Sequence, residues 1–209
     1  MDRRTTIQWM LAASAAWSFP AARGAQAGPA TPARGYGTDP KLMKAYRRGE
    51  LWPLTLSVPQ RRLAGVLADL IIPADAHSPS ASAVGVVEFI DEWISAPYPL
   101  HRHDRTMVLN GFSWLDAEGA RRFGRGFSDL EDSGRHGICD AICNESRAAA
   151  EHRGAARFFA LYRDLTAGGF YSTPVGRKDL NFIGNVPLAR FDGPPPALLE
   201  RLGLSRIGS

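Results

Sequence analysis

Two short stretches place imidazoles beside carboxylates, the pairing that general acid–base catalysis or a metal site requires. They are Asp75-Ala76-His77 and His101-Arg102-His103-Asp104. Both read as proline-bordered connections, and alternate residues of an irregular segment do not converge on one ion, so capping and surface roles are expected of them. Ser172 sits in Tyr-Ser-Thr-Pro without the glycines of a nucleophile elbow, and Thr173 before Pro174 reads as a helix N-cap. Cys139 and Cys143 are the only cysteines. On one helix they would share a face, about 6 Å apart along the axis. A bridge at that spacing is possible in Cα distance but strains the helix. Two free thiols, and a bridge within the chain or to a partner, therefore stay open, while a two-cysteine metal site is disfavoured. No residue is assigned a catalytic, cofactor-binding or metal-ligating role.

Cofactor motifs point the same way. Gly35-Tyr36-Gly37 and Gly124-Arg125-Gly126 lack a third glycine at the dinucleotide offset, and neither joins a β-branched run to a helix. Gly176-Arg177-Lys178 lacks the upstream glycine of a phosphate loop. No Cys-x-x-Cys-His exists, and two cysteines cannot hold an iron–sulfur cluster alone.

The elements that would carry these residues read as helices. Ser57-Val58-Pro59-Gln60 is a capping box with proline in the first turn, and Leu63, Val66, Leu67, Leu70 and Ile71 follow at helical spacing up to Pro73. A second helix over 83–95 buries Val86, Val87, Ile90, Trp93 and Ile94. A third over 103–120 presents Val108, Phe112 and Leu115, flanked by Met107 and Leu109. A weaker segment, 134–145, carries Ile138 and Ile142. The last, over 148–167, carries Ala155, Phe158, Phe159, Tyr162 and Leu165 and is expected to end at Gly168-Gly169. No alternating β-branched run competes, so the expected class is all-α: a single irregular helical bundle at 57–209 preceded by an extended arm at 28–56. That arm is rich in proline and glycine, and its Tyr36, Tyr46, Leu51, Trp52 and Leu54 suit a partner's surface as well as the domain's own.

Before the arm, Arg3-Arg4 precedes an apolar, alanine-rich stretch from Ile7 to Phe19, and Ala25-Gln26-Ala27 offers a small-x-small cleavage site. This reads as a twin-arginine leader over residues 1–27, the type used by proteins exported already folded; because Thr6 and Gln8 replace residues usual in such leaders, a chance Arg-Arg in an ordinary secretory leader is the alternative. The expected location is the periplasm. Arg3, Arg4 and Arg23 against Asp2 account for half of the formal net charge of +4, leaving 22 basic and 20 acidic residues. A nearly neutral chain of about 180 residues is one domain, and gives no footing for nucleic acid or an anionic membrane surface. Arg121, Arg122 and Arg125 read as a solvated helix end. A folded-protein leader on a chain without a cofactor motif implies that the exported cargo is larger than this chain.

A family resemblance accounts for that. Ala68-Asp69-Leu70-Ile71-Ile72-Pro73-Ala74-Asp75, Gly85-Val86-Val87-Glu88-Phe89-Ile90-Asp91 and Gly111-Phe112-Ser113-Trp114-Leu115-Asp116 resemble the gluconate 2-dehydrogenase subunit 3 family. Above all, so do Gly169-Phe170-Tyr171-Ser172-Thr173-Pro174-Val175-Gly176 and Phe182-Ile183-Gly184-Asn185. The resemblance spans about Ser57 to Asn185. It implies a small, non-catalytic subunit of a periplasmic flavoprotein dehydrogenase acting on sugars, polyols or other alcohols. The FAD would belong to a large subunit of the glucose-methanol-choline type, and electrons would pass to a multihaem cytochrome c subunit. The small subunit would help the large one fold and leave the cytoplasm, with any membrane association made through the complex. A transient export chaperone is the nearest competing reading, and a self-sufficient periplasmic enzyme a more distant one.

Phe170, Tyr171, Phe182 and Asn185 are the expected partner surface. Two aromatics placed just after a Gly168-Gly169 cap would no longer both be directed into the core, and exposed aromatics are common interface anchors. The alternative is that both rings close the end of the bundle, with Gly176 and Gly184 allowing tight turns.

Overall fold

In a computed structural model of the chain, the described residues are 46–182, Gly184, Pro187 and 193–204. The expected leader with Arg3 and Arg4, the arm before residue 46, and Asn185 lie outside them. Among the described residues seven α-helices follow one another: α1 Val58–Ile71, α2 Val86–Ser95, α3 Pro99–Phe123, α4 Asp132–Asp140, α5 Arg153–Ser172, α6 Pro174–Asp179 and α7 Pro196–Arg201. Among the described residues there is no strand. The fold is all-α, as the periodicity requires.

Local signals set most boundaries. At the start of α1 the Gln60 side-chain oxygen accepts both the Ser57 backbone NH (2.9 Å) and its hydroxyl (2.9 Å), tying the first turn to its cap. α2 begins three residues later than expected, because Gly85 takes φ 88° and breaks Ser82–Val84 off as a separate 3₁₀ turn. α3 is longer than expected at both ends. Pro99 opens it, where a missing NH costs nothing, and Gly124 at φ 70° closes it. Two α3 arginines also cap the carbonyl end of α2: Arg105 donates to the oxygens of Ile94 (2.5 Å) and Ser95 (2.7 Å), and Arg102 to that of Pro97 (2.5 Å).

The largest correction concerns α5, which runs straight through Gly168-Gly169 to Ser172. Gly169 is a packing residue there: a Cβ on it would lie 2.8 Å from the Phe89 ring of α2. The helix stops instead at Thr173, which precedes Pro174 and is held extended at ψ 157°. Thr173 caps α6 as expected, its hydroxyl accepting from the Gly176 NH at 3.0 Å. A Cβ on Gly176 would come within 2.2 Å of the Phe170 carbonyl oxygen. Only glycine lets α6 fold back so closely on α5.

Most of the core is the one the helical periodicity selects: Leu63, Leu67, Ile71, Val86, Ile90, Ile94, Val108, Phe112, Leu115, Ile138, Phe158 and Tyr162 are buried. Val66, Leu70 and Trp93 are only half-buried against it, and Phe170 joins it unexpectedly. Phe112, Phe158 and Tyr162 form an aromatic triangle with ring centroids 5.5 to 5.9 Å apart, and each buried ring contributes about 2 to 3 kcal/mol by leaving water. Tyr162 also donates its hydroxyl to the Ala64 carbonyl at 2.8 Å, joining α5 to α1, and burial pushes its pKa well up.

Residues 46–56 lie on this domain's own α2. Leu56 is buried, and its NH donates to Asp91 Oδ1 at 3.0 Å. The Thr55 NH donates to Ser95 Oγ at 2.8 Å, and the Trp52 indole to the Glu92 carbonyl at 3.3 Å. Arg61 pairs with the second oxygen of the fully buried Asp91 carboxylate. A charge in that position is tolerable only because it has such partners.

Candidate interaction surface

The residue pairs that could suggest catalysis are used structurally. Asp75 Oδ1 accepts from the backbone NH groups of His77 (2.7 Å) and Ser78 (2.9 Å), so the carboxylate staples its own loop, and the His77 side chain is exposed. The His101–Asp104 stretch is not an irregular connection: it lies in the first two turns of α3. Spacing of three there turns His101 and Asp104 to the same, buried side, while His103 is exposed. Asp104 accepts the Trp93 indole NH at 2.9 Å, and the His101 ring stacks edge-on against Trp93 with centroids 4.3 Å apart. Burial holds the His101 pKa below its ordinary 6.5. The pair thus locks α3 to α2. The Ser172 hydroxyl donates to the Gly169 carbonyl at 2.9 Å, a turn-end contact.

Among the described residues no three His, Cys, Asp or Glu side chains converge as a metal site, and no helix is long and apolar enough to cross a membrane. Cys139 and Cys143 do not share one helix. α4 ends at Asp140, leaving Cys139 in its last turn and Cys143 in the turn beyond. Both are free thiols. Burial raises the pKa of each, more strongly for the buried Cys139 than for the half-buried Cys143, so both stay protonated and slow to react. Glu118 lies between Arg121 (2.8 Å) and Arg122 (2.5 Å), whose guanidinium groups hold its pKa down to about 2. The arginine-rich end of α3 is thereby an ion-pair network.

The expected partner surface is redistributed. Phe170 is fully buried and belongs to the core. As residue 18 of the 20 in α5, it keeps the helical direction that an earlier stop would have released. Tyr171 is half-buried and meets it edge-on at 5.1 Å. The exposed apolar side chains lie a few residues further on: Leu180 is 47% and Phe182 60% accessible. Their presentation follows from the end of α6. The Asn181 NH donates to the Lys178 carbonyl (3.0 Å) and the Phe182 NH to that of Arg177 (2.9 Å), while Asn181 takes φ 52°. This is a Schellman motif with asparagine in the left-handed position. An apolar residue at the Phe182 position commonly packs back on the third-last helical residue; that residue here is the exposed Arg177. The ring is left exposed, as is Leu180 two residues earlier. The signal was Leu180-Asn181-Phe182 itself: asparagine is among the few non-glycine residues that enter the left-handed region readily.

Rigid apolar display of this kind serves binding better than chemistry. A fixed turn loses little conformational freedom on association. The family model described as gluconate 2-dehydrogenase subunit 3 matches residues 59–193, well over half the chain and including this turn. No curated protein and no solved structure matches the chain.

Proposed function

We infer the function from one premise: the chain belongs to the gluconate 2-dehydrogenase subunit 3 family, and is accordingly an accessory subunit of a multi-subunit dehydrogenase complex. The finer reading is that it binds, stabilises and exports a larger FAD-bearing subunit of the glucose-methanol-choline type, which oxidises a sugar, polyol or other alcohol. Electrons then leave through a cytochrome c subunit. The observation that carries this reading is the extent of the family match, which takes in the helical core and the α6 turn alike. The Leu180–Phe182 turn supplies a contact point suited to a permanent partner, since a subunit that stays bound keeps such side chains out of water.

On this reading Arg3 and Arg4 are the export signal of the whole complex, and the larger subunit travels as folded cargo. The test is to change both to lysine and locate the dehydrogenase. Activity and the large subunit should remain together in the cytoplasm. Undiminished periplasmic activity would reject the shared-export reading.

A further inference from the structure

A second surface lies at the other end of α5. The α3 residues His103, Met107, Asn110 and Trp114 fall at spacings of four, three and four, so they form one stripe along the helix. This stripe faces the start of α5, and between the two helices runs a groove of about 420 Å³, open to solvent and mostly apolar in its lining. From His103 to Trp114 it extends eleven residues, about 16 Å or three helical turns. Phe158 forms its floor, lying so close over Gly111 that a Cβ there would come within 2.1 Å of the ring. Beside it Gly154 has no atom within 4 Å of where its Cβ would stand, so the α5 backbone is bare on that side. Trp114 is half-buried and is braced edge-on by His152 at 5.5 Å.

The rim carries both signs of charge. Glu151 lies at the start of the α5 side and Arg157 six residues later, about 9 Å along a helix axis. Arg157 contacts Glu145 at 3.5 Å, with both side chains more than half exposed. Such an exposed pair is weak and screened by solvent, so an incoming carboxylate can replace it.

We propose that this groove receives one amphipathic helix of the dehydrogenase's large subunit. A groove between two packed helices takes a third by the same ridge-into-groove fit that joins the first two. Three turns present apolar side chains at i, i+3 or i+4, and i+7, enough to cover the half-buried Met107 and Trp114. The opposite charges on the rim fix the incoming helix's pattern and direction: a basic side chain near Glu151 and an acidic one about two turns away near Arg157. Trp114 is the anchor, being a large ring already held in place before binding. The proposal rests on the reading that this chain has a large dehydrogenase partner, and deepens it by assigning a second contact and its chemistry.

The test is made on the full chain co-expressed with its large subunit. Asn110 is exposed and lines the groove, so Asn110→Arg fills the groove while leaving the core untouched. It should preserve the melting temperature of this subunit and lower the yield of co-purified large subunit about tenfold or more. A photo-crosslinking amino acid at position 110 should join a helical segment of the large subunit bearing the basic–apolar–acidic pattern. Wild-type capture by Asn110→Arg would overturn the proposal, as would a crosslink only to a second copy of this chain, or none in a complex that still forms. Failure of the unmodified chain to capture any flavoprotein would instead overturn the proposed function, and the groove assignment with it.

Discussion

Two regions of this molecule handle mismatched surroundings in opposite ways. At the face where residues 46–56 lie on α2, a fully buried carboxylate, Asp91, receives the Leu56 NH and the Arg61 guanidinium from its own chain. At the end of α6, Leu180 and Phe182 are apolar groups left in water, on a turn closed by the Asn181 and Phe182 backbone hydrogen bonds. The first region is internally satisfied and reads as structure. The second is rigid and uncovered, and reads as a place for another molecule. Chemical character alone would have drawn attention elsewhere, to the buried His101 and Asp104, which pair an imidazole with a carboxylate.

The comparison can be broken most forcefully at the junction between the regions. Phe170 and Phe182 lie twelve residues apart, one wholly buried and the other mainly exposed. Phe170→Ala should destabilise the subunit by about 3 to 5 kcal/mol through lost burial and the cavity left behind, read as a lowered melting temperature. Asp91→Ala should cost about 3 kcal/mol, because it strands the Arg61 charge and the Leu56 NH; denaturant titration would measure it. Phe182→Ala should leave unfolding unchanged within about 0.5 kcal/mol and weaken capture of the large subunit by about 2 kcal/mol. If Phe182→Ala lowers stability as much as Phe170→Ala, the distinction between the two regions collapses.

A smaller effect sharpens the internal region. His101 is kept neutral by burial, with its pKa below the ordinary 6.5, whereas the unfolded chain takes up the proton at its ordinary value. The folded state therefore binds fewer protons once pH drops under about 6.5. This contribution to stability is complete above that pH and is lost progressively as pH falls. Melting temperatures recorded from pH 7.5 to 5.5 should decline by a few degrees, and His101→Phe should flatten that part of the curve. An unchanged slope in the variant would place the pH dependence elsewhere.

Much of the fold was legible because burial repeats with the helical period. Every apolar residue expected to face inward on the α5 helix does so, from Ala155 to Leu165. What was not legible depended on contacts distant in sequence. Gly168-Gly169 carries the composition of a helix stop, but Phe89 occupies the space beside Gly169 and makes it a packing site. That single reassignment moved Phe170 from the candidate surface to the core. Of the residues expected on a partner surface Phe182 is exposed, and Leu180 beside it in sequence is exposed without having been expected, because the Schellman turn that presents both rests on an asparagine rather than a glycine. The histidine–carboxylate stretch at 101–104 is helical although prolines precede it, because Pro99 is the first residue of α3 rather than a border.

The central claim is that this subunit serves a flavin held by a different chain. Its most direct test is the visible absorbance of two preparations made side by side: the subunit expressed alone, and the subunit co-expressed with its large partner. The account predicts a colourless, folded protein without dye-linked dehydrogenase activity in the first, and a yellow, active complex in the second. Flavin retained stoichiometrically by the subunit alone would contradict it.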